Sequence, residues 1–84
     1  MANVVLTPAA QEQMNRLPGG MLRRINDVFF RLEKWPEVSG AKPMRKELVG
    51  HFRIRSGAWR VLFRVKGETV IVWQIDNRRD VYDN

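Results

Sequence analysis

The chain has 84 residues, with 15 Lys or Arg against 9 Asp or Glu, a net charge of +6 and no cysteine. This length supports one small domain, and the lack of thiols excludes a disulfide scaffold and suits a reducing cytosol. No apolar run approaches the roughly 20 residues that span a bilayer, and Met1-Ala2-Asn3-Val4-Val5-Leu6 is too short and uncharged for a signal peptide. A soluble cytoplasmic protein is expected.

In chain order, a strand over Asn3 to Leu6 leads to Thr7-Pro8. Thr at an N-cap followed by Pro at the first helical position is a start signal, reinforced by Glu12. The first helix is predicted to run to Arg16, where Leu17-Pro18-Gly19-Gly20 breaks it. The second is predicted over Met21 to Lys34, its apolar stripe formed by Leu22, Ile25, Phe29 and Leu32 with Val28 beside it, and Pro36 stops it. Glu37 to Pro43 reads as a loop, and Met44 to Val49 as a short strand. A hairpin follows over His51 to Val65, turning at Ser56-Gly57. Lys66-Gly67-Glu68 then turns into a last strand, Thr69 to Ile75, apolar at nearly every position as for a strand covered on both faces. The order βααββββ defines an α+β domain, residues 1–84, in which an αα-hairpin packs on a twisted, mainly antiparallel sheet.

The charge is a patch. Between Lys42 and Lys66 lie eight basic residues and one acid, Glu47, a local charge of +7, while the rest of the chain sums to −1. Eleven of the fifteen cations are Arg, whose planar fork suits bidentate phosphate contacts. The hairpin arranges them. Alternate residues of a strand point to opposite faces. Phe52 and Ile54 therefore oppose Arg53 and Arg55, and Trp59, Val61, Phe63 and Val65 oppose Arg60 and Arg64. Four guanidiniums on one surface make an anion-binding face for RNA, DNA or an acidic protein.

The segments Lys42-Pro43-Met44-Arg45-Lys46-Glu47-Leu48-Val49-Gly50, Phe52-Arg53-Ile54-Arg55, Trp59-Arg60-Val61-Leu62-Phe63 and Asn77-Arg78-Arg79-Asp80-Val81-Tyr82 together resemble the RelE/ParE superfamily, the toxin halves of type II toxin–antitoxin pairs. The ordered set spans nearly the whole chain. The resemblance implies a RelE-like fold and, for the RelE branch, ribosome-dependent mRNA cleavage by attack of a 2′-OH on the adjacent phosphate. It implies no metal or other cofactor. By resemblance the catalytic positions are Arg53, Arg55, Arg60, Arg78 and Tyr82. Arg60 and Arg78 are expected at the transition-state phosphate, Arg53 and Arg55 at the backbone, and Tyr82 in base stacking or proton transfer. Lys42, Arg45, Lys46, His51, Arg64 and Arg79 are expected to contact RNA or the ribosome. Some relatives carry Lys in place of Arg53 and Arg55, and His in place of Asn77.

Plainer roles stand beside these. His51, the only histidine, is either a structural residue or a proton-transfer group. Arg64 reads as a flanking charge, Arg79 and Asp80 as a surface pair, and Arg45 and Lys46 as phosphate contacts or solvated side chains. Trp59 and Trp73 fall in apolar strands and are expected in the core, and Trp35 is expected to cover the end of the second helix. The alternative functions are a ParE-like inhibitor of DNA gyrase, with no need of the arginine cluster, and a non-catalytic RNA- or protein-binding relative. Either toxin reading implies a cognate antitoxin with a DNA-binding N-terminus and a wrapping C-terminal segment, through which alone operator DNA is bound.

Overall fold

The signals that punctuate the sequence also punctuate the fold. The computed structural model describes residues 1–77. The elements are β1 (Asn3–Leu6), α1 (Pro8–Asn15), α2 (Met21–Leu32), β2 (Lys42–Pro43), a 3₁₀ turn (Lys46–Leu48), β3 (His51–Ser56), β4 (Trp59–Lys66) and β5 (Thr69–Asn77). Thr7 caps α1 as its chemistry predicts: its backbone is extended and its Oγ1 accepts from the Ala10 amide at 3.2 Å, with Pro8 opening the helix. Both hairpins close on two-residue loops whose first residue is a glycine at positive φ, Gly57 at +62° and Gly67 at +61°. A type II′ turn requires that conformation there, and its twist matches that of the strands it joins.

The strands form one sheet in the order β1-β5-β4-β3-β2. β1 runs parallel to β5 and every other pair is antiparallel. The helices cover one face of this sheet. Ile25, Val28 and Leu32 of α2 and Ala10 of α1 bury themselves against Ile54, Val61, Phe63, Val70, Val72 and Ile75. Trp35, just past α2, stands edge-on to Phe52 and Phe63 with ring centroids 4.8 and 5.4 Å away, sealing that end of the core as expected.

Several expectations need correction. Met44 to Val49 is not a strand. β2 is only Lys42–Pro43, paired with Phe52 and Arg53, because Lys46 takes a left-handed φ of 60° and the chain coils into the 3₁₀ turn. The helices end slightly early, at Asn15 and Leu32, and the residues after α2 tighten into i to i−3 bonds, such as Trp35 N–H to the Leu32 carbonyl. The stripe of α2 runs through Val28, while Leu22 at its N-terminal end stays 45% exposed. β5 is covered by helices on one face only and runs two residues past Ile75. Trp59 is partly buried against the core, but Trp73 stands apart from it, its ring edge-on to His51 at 5.5 Å.

That displacement of Trp73 has a local cause. Leu62 pairs with Gln74 but its neighbour Phe63 pairs with Val72, so Trp73 is an extra residue in β5, a β-bulge. A bulge shifts the alternation of a strand by one. Val70 and Val72 face the helices before it, and Ile75 faces them after it. Gln74 and Asp76 are thereby turned to the opposite, open face.

Candidate functional site

The open face is built in rows across the sheet, because residues directly opposite on neighbouring strands share a face. One row is Arg55, Arg60 and Asp76. The next is Lys42, Arg53, Leu62 and Gln74. A third holds His51, Arg64 and Ile71. The predicted alternation is realised: Arg53, Arg55, Arg60 and Arg64 all lie on the face away from the helices. Leu62 is 3% exposed although it lies on this side, outside the main core cluster. Leu62 thus lies in the row between Arg53 and Gln74, beneath the cationic surface.

A hollow of about 550 Å³ opens on this face, lined by Lys42, Pro43, Met44, Arg45, Arg53 and Arg60. Four of its six lining residues are cationic and none is acidic. The β2 segment and the loop after it bring Lys42 and Arg45 to the hollow, and β3 and β4 supply Arg53 and Arg60. Arg55 lies opposite Arg60 at the turn end of the hairpin. Arg64 and His51 lie toward the other end, about 13 Å along β4 from Arg60 at a strand's rise per residue. Lys46 is exposed in the 3₁₀ turn. Arg78, Arg79 and Tyr82 lie outside the described residues.

Arg60 is held in place. Its Nε and Nη2 donate to Asp76 Oδ1 and Oδ2, both at 3.0 Å, a bidentate pair whose side chains are each only 12% exposed. Gln74 Nε2 donates to Asp76 Oδ2 at 2.6 Å and orients the carboxylate from the next row. The Ile75 amide between them donates to Gln13 Oε1 at 2.7 Å, tying this stretch of β5 to α1. Sequence reasoning missed Asp76 because it ended the last strand at Ile75, and missed Gln74 because it read that strand as covered on both faces. Even a longer strand, read with unbroken alternation, places both residues with Val70 and Val72 under the helices. At the far end of the face, His51 Nδ1 and Trp73 Nε1 are buried and have no hydrogen-bond partner among the described residues.

This arrangement of two helices behind a five-stranded sheet with a cationic open face defines a RelE-like toxin fold. It superposes on the isolated RelE toxin of E. coli with a TM-score of 0.77, covering 99% of this chain and 93% of that one at 15% identity. It superposes on the toxin–antitoxin complex RelBE2 of Mycobacterium tuberculosis with a TM-score of 0.79, covering 92% and 98% at 29% identity. In sequence the chain is 32% identical over 81 residues to Toxin RelG of Mycobacterium tuberculosis, spanning 94% of this chain and 93% of that protein. The model of the ParE toxin of the type II toxin–antitoxin system parDE matches residues 4–82. The chain belongs to this family of type II toxins.

Proposed function

We propose that this toxin is a ribosome-dependent mRNA endonuclease. The observation that carries the reading is the hollow lined by Lys42, Arg45, Arg53 and Arg60, a cationic cradle for a phosphodiester. In the proposed reaction the 2′-oxygen of one nucleotide bonds to the adjacent phosphorus and the bond from phosphorus to the 5′-oxygen breaks. The products are a 2′,3′-cyclic phosphate and a 5′-OH. The proton lost by the 2′-OH and the proton gained by the leaving oxygen balance. Arg60, with Arg78, offsets the charge that builds on the phosphorane, a role for fixed donors aimed at developing charge. Arg53 and Arg55 hold the backbone, and Tyr82 stacks on a base or moves a proton. An arginine, with a pKa above about 12, is a poor general base, so the ribosome is assigned a part in completing the site.

The reading includes a cognate antitoxin and a cytoplasmic location. The similar RelBE2 protein is found in a toxin–antitoxin complex, and an acidic, extended segment is the partner chemistry that suits this face. The second reading, gyrase inhibition, is favoured by the match to the ParE toxin family. Inducible expression with primer extension on a reporter mRNA separates the two. New mRNA ends are expected with the wild type and are expected to disappear with Arg60→Ala. Growth arrest without new ends, accompanied by gyrase-dependent DNA breaks, overturns the nuclease reading in favour of the second.

A further inference from the structure

Asp76 is the only carboxylate among the described strand residues. It sits on the cationic face, and it grips the arginine that the nuclease reading places at the reacting phosphate. For a surface whose task is only to attract RNA, a carboxylate there is a loss, since it cancels a charge beside the hollow. We propose that Asp76, oriented by Gln74, is a positioning residue for Arg60: it trades some affinity for RNA against a fixed guanidinium at the phosphate. The proposal rests on the mRNA-cleavage reading and names how that site is organised.

The physical case has three parts. Arg55 stands directly opposite Arg60, and like charges facing one another across a ladder repel. A long arginine side chain so placed, and without an anchor, spreads over many rotamers. Asp76 opposes both effects from the other neighbouring strand. Its bidentate grip on Nε and Nη2 makes the guanidinium plane follow the carboxylate plane, and the fork geometry of this pairing is directional. At 12% exposure for each side chain, the pair is shielded from the solvent that makes most surface ion pairs weak. Finally, the bulge at Trp73 turns Gln74 and Asp76 toward Arg60 at all, and bulges re-aim side chains beside functional sites. Preorganised donors act in a transition state without reorganising first, so a loosened Arg60 binds phosphate well and accelerates cleavage poorly.

The test compares wild type, Asp76→Asn, Asp76→Glu, Gln74→Leu and Arg60→Ala. Affinity is measured on a short oligoribonucleotide carrying a 2′-deoxy sugar at the cut site, and single-turnover cleavage on ribosomes programmed with mRNA. Asp76→Asn is expected to bind the uncleavable oligonucleotide a few-fold more tightly at low salt and to cleave roughly 10- to 100-fold more slowly. Asp76→Glu is expected to recover part of the rate, and Gln74→Leu to show the same split on a smaller scale. A purely structural Asp76 lowers affinity and rate together, in step with the folded fraction seen by circular dichroism. That result overturns the proposal, as does Asp76→Asn cleaving at the wild-type rate. If the wild type cuts no mRNA, or Arg60→Ala cuts as well as the wild type, the cleavage reading itself fails and takes this proposal with it.

Discussion

The two faces of the sheet are made from alternate residues of the same strands, yet they do different work. On the helix side Phe63, Val61, Val70 and Val72 are fully buried and join one core with residues of both helices. On the open side Arg53, Arg55, Arg60 and Arg64 share a surface with one buried apolar residue, Leu62, and one carboxylate, Asp76. The helix side supplies stability through apolar area removed from water. The open side holds cations close together, an arrangement that does not favour folding and that the other face must offset. Stability and function are therefore separable by substitution nearly everywhere, and Arg60 is the place where they meet.

The largest effect on stability is expected from Phe63→Ala, which empties the centre of the aromatic cluster with Phe52 and Trp35. It should cost about 3–5 kcal/mol, read as a lower Tm, while the folded fraction keeps its affinity for RNA. Loss of affinity per folded molecule would break the separation of the two faces. Arg60→Ala comes next and crosses the boundary. It leaves Asp76 without its bidentate partner at about 1–3 kcal/mol, less than complete burial would exact, and should lower the cleavage rate about 10²- to 10³-fold. Denaturant unfolding and single-turnover cleavage on the same preparation check both numbers. Thr7→Ala removes the side-chain cap of α1, distant from the cationic face, and should cost about 1 kcal/mol with cleavage unchanged. Arg53→Ala should be the mildest for the fold, within about 0.5 kcal/mol of wild type by thermal melting. Its signature lies in RNA binding: the slope of log affinity against log salt should fall by about 0.7, the loss of one phosphate contact to a single strand. An unchanged slope removes Arg53 from the binding face.

Local chemistry made much of the fold legible. Thr7-Pro8 announced α1, the hairpin glycines announced their turns, and period-two alternation announced the arginine face, which the pairing of Arg55 with Arg60 and of His51 with Arg64 bears out. Each of these depends on residues near one another in sequence. The segment Met44 to Val49 was misread because its fate turns on a left-handed Lys46, a backbone state that composition does not announce at a lysine. Trp73 was misread because an apolar residue in an apolar strand is ordinarily core.

Local pattern and charge alone thus marked the two helices, the arginine-alternating hairpin and a concentrated cationic face. The family came from the resemblance of the ordered motifs, and the short strand beside β3 fell at Lys42–Pro43, in what the pattern read as loop. Tertiary structure alone decided which groups meet the cationic face. The bulge at Trp73 arises from how β4 and β5 pair, and it reverses the alternation of everything after it. Gln74 and Asp76 pass from the helix side to the side of Arg60 through that one extra residue. Alternation is a property of a strand, but its phase belongs to the sheet.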